Sequence, residues 1–335
     1  MHVGNSAPIG SDLVRAAVED AIRAPSVHNT QPWLFGVRGS RISVRADPDR
    51  RLDVADPQGR EMLISCGAAL YNLRLSLRKR GYEPAVRLLP DADRPHLLAD
   101  VEAERSHEAV TRGVEAEYAQ IERRHSHRGG FRPEPVPSGV VTALLRAAEQ
   151  EGARVIKAVD AHVLGALAAL TDAAEHVQRR TPAYATEIAR WAPSPTTARK
   201  DGVQEISYPA RTPRTEPHFP PRDFARGHGW GVEPADDDGT ALAGIALLLV
   251  TAEDTPAAWL RAGQALERLL LCAAEHDLSA AHHTQALEVP ELRAFVRAHF
   301  CGDAYPQMLL RVGVPVGEEL ATVRRPVDDV MIEEA

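Results

Sequence analysis

The chain has 335 residues, of which 44% are hydrophobic and 26% are charged, so its composition is that of a folded globular protein and excludes wholesale disorder. Its formal net charge of −8 at pH 7 makes nucleic acid and anionic membranes poor partners. At about 150 residues per domain, the length predicts two domains or one duplicated unit.

Neither a membrane span nor an export signal is expected from the sequence. The longest apolar run, residues 241–250, is interrupted by Gly244 and suits a buried strand. Residues 1–11 contain neither a basic region nor an apolar stretch, which predicts no signal peptide and a cytoplasmic location. Cys66, Cys272 and Cys301 lie far apart in apolar sequence, so we expect them in the core rather than in disulfides or a thiolate zinc site.

The first part of the chain alternates helical and extended patterns. Apolar residues at helical spacing predict a helix over residues 12–24, which Pro25 stops. Residues 33–37 and 42–45 are predicted to be short strands around a turn. A longer helix is predicted over residues 61–79, with Gly81 as its left-handed stop, followed by a strand over residues 86–89.

The later part of the chain is predicted to be richer in helix. Helical patterns cover residues 114–124, 140–150, 161–180 and 182–191. Residues 241–251 form the strongest candidate for a buried strand, and residues 257–276 form the strongest buried helix. A final strand is predicted over residues 308–312.

The two longest apolar helices are similar in sequence, which favours an internal duplication. Residues of the first helix align at a constant offset with residues of the second: Gly67, Ala69, Leu70, Leu73 and Leu75 with Gly263, Ala265, Leu266, Leu269 and Leu271. The order helix, strand, helix, strand recurs in both parts, which we divide at residues 1–112 and 113–335. The fold class expected is α+β, with an antiparallel or mixed sheet under helices in each half.

Residues 192–234 stand apart because eight prolines and several arginines interrupt any periodic pattern. A connection of this length is either a linker or a functional lid. Aromatic residues, which a solvated linker does not need, favour the lid: Trp191, Tyr208, Phe219, Phe224 and Trp230.

Several common catalytic motifs are absent from the sequence. It contains no P-loop, no G-x-S-x-G and no H-E-x-x-H, and Gly227, Gly229 and Gly231 do not form a dinucleotide-binding pattern. The histidine pairs at residues 125 and 127 and at residues 282 and 283 have no third ligand at a telling spacing, so a metal site is not favoured.

Two segments carry chemistry. Residues 24–33, A-P-S-V-H-N-T-Q-P-W, place short polar side chains between two prolines, which suits recognition of a planar polar ring or makes a stiff connector. Residues 123–131, R-R-H-S-H-R-G-G-F, combine arginines, a hydroxyl and glycines, which suits a phosphate monoester or forms an exposed basic helix end. The second alternative leaves the residues after Arg124 unexplained.

Both segments resemble motifs of one family. A-P-S-x-x-N-x-Q-P-W is similar to the signature loop of the FMN-dependent nitroreductase superfamily, and R-x-S-x-R at residues 124–128 is similar to its phosphate-binding motif. In ordinary members each FMN lies at a homodimer interface, between the arginine motif of one subunit and the loop of the other. The resemblance therefore implies FMN as the cofactor.

This chain separates the two motifs. The first half has the loop without the arginine motif, and the second half has the arginine motif, with residues 151–153 where the loop should be. The layout resembles the Acg-like actinobacterial branch, in which two nitroreductase units are fused in one chain beneath a lid. The resemblance implies one surviving composite FMN site per chain and a mild preference for a monomer.

The resemblance also implies the roles of individual residues. The late basic pair before Pro326 is similar to a residue that reaches the phosphate, and residues 277–288 are similar to the segment that faces flavin N5. The cofactor-binding residues implied are Pro25, Ser26, His28, Asn29, Gln31, Arg124, Ser126, Arg128, Arg324 and Arg325. His28, His282 and His283 are candidates for a proton donor by position alone, and no catalytic residue is assigned.

The activity implied is hydride transfer from NAD(P)H through FMN to a small molecule, namely a nitroaromatic, a quinone or an activated alkene. Two alternatives stay open. One is a flavin-sequestering protein whose lid blocks access, and the other is a specialised flavin dehydrogenase of a biosynthetic pathway.

Overall fold

The computed structural model describes residues 9–194, 196–209, 214–224, 231–232, 244–317 and 322–334. The first half begins with a helix and a hairpin, continues with a long helix and ends with two strands. These elements are α1 (Ser11–Ala21), β1 (Trp33–Arg38), β2 (Arg41–Ala46), α2 (Arg60–Lys79), β3 (Tyr82–Leu88) and β4 (Leu97–Arg105).

The second half repeats this order with insertions. Its elements are α3 (Arg112–Tyr118), α4 (Gln120–Arg123), α5 (Ser138–Glu149), β5 (Arg154–Ala158), α6 (Ala161–Arg179), α7 (Pro182–Arg190), β6 (Ile245–Thr251), α8 (Pro256–Glu275), β7 (Ser279–His282), α9 (Gln285–Glu288), α10 (Pro290–Phe300), β8 (Tyr305–Gly313) and β9 (Met331–Glu333).

Two sheets with the same strand order confirm the α+β class and the duplication. The first sheet has the order β3-β4-β2-β1-β9, and the second has the order β5-β6-β8-β7. Replacing β1–β4 by β5–β8 converts the first order into the second read in reverse, and these strand pairs are all antiparallel. Each half is thus one copy of the same unit, a sheet covered by helices.

The two halves pack together through α2 and α8, which cross at equivalent glycines. A Cβ atom added to Gly67 would overlap the carbonyl oxygen of Leu260, and one added to Gly263 would overlap that of Ile64. Because each glycine meets the backbone of the other helix, the contact has the self-complementary form of a two-fold dimer interface. Much of both helices is buried in one hydrophobic core shared by the two halves.

The C-terminal strand returns to the first half. Strand β9 pairs in parallel with β1, with Phe35 opposite Met331, and Glu334 accepts a hydrogen bond from Ser43 of β2. Residues from the second sequence half therefore complete the first sheet.

Most predicted elements are confirmed, and two of the errors, at β3 and β5, share a cause. The predicted strand at residues 86–89 is β3, which begins at Tyr82, and β4, β5, β7, β9 and α10 were not predicted. Strands β3 and β5 lie at sheet edges, where alternating exposed residues weaken the apolar signal, and β3 carries Pro84. The predicted helix over residues 12–24 ends at Ala21, and the one over residues 114–124 is divided into α3 and α4.

Two further predictions concern the buried strand at residues 241–251 and the three cysteines. Strand β6 begins at Ile245, and residues 241–243 of the predicted strand lie outside the described residues. Cys66 and Cys301 are buried and Cys272 is partly buried, all as free thiols. Within the described residues, no helix has the length and apolar content needed to cross a membrane.

Candidate functional site

A cleft lies between the two halves and is lined by residues of both. Its walls come from the loop after α1, the first turns of α2, the segment before α5, the lid and the end of β7. The lining residues include Pro25, Ser26, Val27, His28, Asn29, Glu61, Ser65, Ser126, Arg128, Tyr208, Phe224, His282, His283 and Arg324.

The loop after α1 has a strained backbone. His28, Asn29 and Gln31 have φ angles of 47°, 52° and 51°, in the left-handed region that non-glycine residues rarely adopt. Two serine hydroxyls hold this shape, because Ser26 Oγ accepts from Gln31 N at 3.0 Å and Ser65 Oγ accepts from Val27 N at 3.1 Å. Strain maintained in this way is typical of functional loops.

The two carboxamides of this loop hold neighbouring segments in place. Asn29 Nδ2 donates to Gly202 O at 3.0 Å, and Gln31 Nε2 donates to Lys200 O at 2.8 Å, so both contact the lid backbone. Gln31 Oε1 also accepts from Arg325 N at 2.8 Å. Asn29 lines the cleft, whereas Gln31 is fully buried behind it.

The arginine segment is positioned by strand β7. Ser126 forms a parallel bridge with Ala280, and His127 N donates to Ala280 O at 2.9 Å. Ser126 and Arg128 line the cleft, and Arg124 lies buried beside it. The structure thus brings together the loop of one half and the arginine segment of the other.

Buried positive charge accumulates at this end of the cleft. Burial, together with the neighbouring arginines, lowers the pKa of Arg324 to about 9, and burial lowers that of Arg128 to about 10. Within the described residues, Arg124 Nη1 and Arg324 Nε have no hydrogen-bond partner. One buried carboxylate, Glu267, lies 3.5 Å from Arg124 Nε. The cluster therefore requires an anion, and a phosphate supplies one.

Arg325 has a supporting position rather than one in the cleft. Its guanidinium donates to Gln31 O at 3.1 Å and to Asp329 O at 2.6 Å. The preceding Arg324 lines the cleft and donates through Nη2 to Arg23 O at 2.9 Å. The late basic pair is therefore divided between the cleft and the C-terminal segment.

The cleft lining includes His28, His127, His282 and His283. Burial first, and then nearby arginines, lowers the pKa of His28 and of His282 to about 3 and that of His283 well below its usual value. Within the described residues, neither ring nitrogen of His28 has a hydrogen-bond partner. The imidazoles of His28, His282 and His283 are neutral near pH 7, which suits hydrogen bonding to a ligand better than proton donation.

Parts of the segment 192–234 cover the cleft. Phe224 packs edge-on to His28, with ring centroids 5.3 Å apart, and Tyr208 packs against Phe224 at 6.0 Å. Phe219 lies 5.3 Å from the His283 ring. Trp191 is buried, and Trp230 lies outside the described residues.

An ion pair attaches this cover to the second half. Arg222 Nη1 lies 3.0 Å from Glu288 Oε2, and Arg222 also donates to the Tyr184 hydroxyl. Thr284 Oγ1 donates to Glu288 at 2.9 Å. Both charged side chains are buried, so the pair is shielded from water.

The segment expected to face flavin N5 begins with a left-handed turn at Asp277. Asp277 has a φ angle of 56°, and its carboxylate lies 2.6 Å from Arg123.

Sequence reasoning missed Glu61, Glu267 and Glu288 in the site. Each lies in a helix, where an acidic residue carries no distinguishing pattern.

Comparison with known proteins identifies the family. No protein-family model matches the chain. The "Putative NAD(P)H nitroreductase Rv3131" of Mycobacterium tuberculosis is 34% identical over 322 residues, which cover 90% of this chain and 85% of that protein. The chain belongs to the NAD(P)H nitroreductase family.

Other matches to this nitroreductase-family chain cover different shares of its length. The "Putative NAD(P)H nitroreductase acg" of M. tuberculosis is 29% identical over 325 residues, covering 96% of each chain. The "Nitroreductase with bound FMN" of Desulfitobacterium hafniense is 15% identical, with a TM-score of 0.40, and covers 63% of this chain and 94% of that one.

Proposed function

We propose that this nitroreductase-family chain binds one FMN in the cleft and is an NAD(P)H-dependent oxidoreductase. The observation that carries the proposal is the buried arginine cluster at one end of the cleft. An FMN phosphate has about −1.5 to −2 charges near pH 7, which would offset the surplus positive charge of the cluster.

The residues present fit this cofactor. Arg124, Ser126, Arg128 and Arg324 would bind the phosphate, and the loop from Pro25 to Asn29 would contact the planar ring system. Gln31 and Arg325 would hold that loop in shape. When bound, FMN accepts a hydride from NAD(P)H and passes it to an acceptor, for which we propose a nitroaromatic, a quinone or an activated alkene.

A single FMN per chain is proposed because the equivalent position in the second half is closed. There the turn after α5 places Glu151 2.6 Å from Arg74 and 3.0 Å from Arg268. Protein carboxylates therefore pair with the arginines at that position. We also propose a monomer, since the α2–α8 contact already supplies the two-fold interface within one chain.

Cofactor release tests the proposal. We expect acid denaturation to release one FMN per chain, measured by absorbance against protein concentration. Arg128→Gln and Arg324→Gln should each weaken FMN binding roughly ten- to hundredfold, because charge-assisted hydrogen bonds contribute about 1.5–3 kcal/mol. Arg268→Gln is the matched control and should leave binding unchanged. Two FMN per chain, or normal affinity in both cleft variants, would contradict the assignment.

Sequestration of the flavin is the second candidate, because Tyr208, Phe224 and Arg222 cover the cleft. The anaerobic visible spectrum distinguishes the two functions. Bleaching of the flavin band on addition of NADPH or NADH supports the oxidoreductase. A bound flavin that stays oxidised with both donors supports sequestration.

A further inference from the structure

A second group of charges lies at the part of the cleft formed by the start of α2. Three carboxyl groups, those of Asp56, Glu61 and Glu288, act on one another together with the guanidinium groups of Arg60 and Arg222. All of these side chains are buried or nearly so. Of the three acids, Glu61 lines the cleft.

Each partner in this group is held in place. Arg60 Nη2 lies 2.8 Å from Glu61 Oε1, while Arg60 Nη1 donates to Gln307 O at 2.6 Å. Asp56 Oδ2 accepts from Met62 N at 2.8 Å, so its carboxylate caps the first turn of α2. The side chain of Glu61, a residue of the cleft lining, is therefore held in place by Arg60.

The charges of this group balance only if one of its three carboxyl groups holds a proton. Three buried carboxyl groups face two guanidinium groups, and His28, which faces them from the loop, is neutral. Arg222 lowers the pKa of Glu288, so that acid is ionised. Burial raises the pKa of Asp56 to about 6 and that of Glu61 to about 8, so the stored proton resides on Glu61 near neutral pH.

We propose that Glu61 is a catalytic acid, which delivers a proton to a two-electron acceptor in the cleft. This role rests on the proposed function. In reduction of an activated alkene, a hydride from the reduced flavin forms a C–H bond at the β-carbon, and the π electrons move to the α-carbon. The Glu61 proton forms the second C–H bond. The flavin is oxidised, the alkene is reduced, and the Glu61 carboxylate left beside Arg60 regains a proton from water.

The geometry favours Glu61 over the other titratable groups of the cleft. The three cleft histidines whose pKa values are lowered are neutral and hold no acidic proton near pH 7. Glu288 is paired with Arg222, and Asp56 does not line the cleft. Glu61 alone among the carboxyl groups of the described residues combines a stored proton with a place in the cleft wall.

Two acceptors separate proton delivery from electron transfer. Ferricyanide accepts single electrons and no proton, whereas 2-cyclohexen-1-one accepts a hydride and a proton. For Glu61→Gln, which preserves size and an acceptor for Arg60, we expect NAD(P)H-dependent reduction of cyclohexenone to fall by about 10²–10⁴-fold. Ferricyanide reduction, which needs no proton, should fall by a much smaller factor. In the wild type, the cyclohexenone rate should fall above pH 8 or so as the proton is lost.

A spectroscopic measurement without FMN tests the stored proton directly. The infrared C=O band of a protonated carboxyl group should disappear near pH 8 in wild-type apoprotein and be absent in Glu61→Gln. Glu117→Gln, which replaces a half-buried acid outside the cleft, is the control and should retain both the Glu61 band and the cyclohexenone rate.

The outcomes distinguish the two proposals. Equal cyclohexenone rates in wild type and Glu61→Gln, or no band assignable to Glu61, overturn the role of Glu61 while the oxidoreductase stands. A wild-type protein that leaves ferricyanide unreduced overturns the proposed function, and the role of Glu61 with it.

Discussion

The two copies of the repeated topology differ at the connection that follows their first helix. In the first half, residues 22–32 form the strained loop that lines the cleft. In the second half, residues 150–153 make a tight turn at Gly152, whose φ angle is 81°. One copy therefore has the loop needed to contact a ligand, and the other leads directly into strand β5.

The cleft and the equivalent position in the second half also differ in how their buried arginines are paired. At the cleft, the carboxylate of Glu267 faces Arg124 and Arg324, and nitrogens of both guanidinium groups have no hydrogen-bond partner within the described residues. At the equivalent position, Glu151 pairs with two arginines. At the ligand site, buried arginines lack enough carboxylate partners within the protein. At its closed counterpart, a protein carboxylate pairs with the arginines. Unbalanced buried charge thus distinguishes a functional copy from a structural one.

The largest expected effect is on the free energy of unfolding, and it comes from the glycine crossing of α2 and α8 that the two halves share. Gly67→Val and Gly263→Val each force a side chain into the backbone of the facing helix, so we expect a loss of several kcal/mol in the free energy of unfolding, or no folded protein. Chemical denaturation measures it. Gly165→Ala in α6 is the control, because its Cβ would meet no atom within 4 Å among the described residues. A large difference between the two glycine variants would contradict the two-fold relation of the helices.

The closed position should depend on its own ion pairs. Glu151→Gln leaves Arg74 and Arg268 without their carboxylate, so we expect a loss of about 1–3 kcal/mol in unfolding free energy. FMN stoichiometry should stay at one per chain. Arg128→Gln should show the reverse pattern, a smaller loss of stability and a large loss of FMN affinity, because it removes a charge that burial already disfavours. Similar effects of both variants on FMN would undermine the comparison.

The last expected effect concerns the pH dependence of stability and sharpens the comparison at the cleft. The Glu61 pKa rises from about 4.5 in the unfolded chain to about 8 in the folded protein, so between these values the folded state holds the additional proton. Stability should therefore decrease as pH rises through this window, by at most about 1.4 kcal/mol per pH unit. The difference between wild type and Glu61→Gln, followed by denaturation at pH 5 to 8.5 or so, isolates this contribution. A difference independent of pH would show that Glu61 is ionised in the folded protein.

Local sequence patterns predicted the repeated units and both halves of the cleft. The motifs at residues 24–33 and 124–128 are continuous, and each has a composition that ordinary loops lack. The equivalence of Gly67 and Gly263 was likewise visible as an alignment and is confirmed as a helix crossing. Signals that lie within one short segment can be read before the structure is known.

What sequence reasoning missed depends on distant residues. The Arg222–Glu288 pair joins the lid to α9, and neither residue indicates the other in the sequence. The stored proton on Glu61 results from three acids and two arginines on separate elements, and its burial is a property of the assembled core. Edge strand β3 was predicted too short because its exposed face and Pro84 resemble a loop.

The return of the C-terminal segment has a consequence for biosynthesis. Arg324 contributes to the anion end of the cleft, Arg325 holds Gln31, and β9 lies beside β1. These contacts join residues 324–333 to the loop that precedes β1. The first sheet and the cleft therefore stay incomplete until residues 324–333 have left the ribosome, so the cleft can hold a ligand tightly only after this segment has folded back onto the first half.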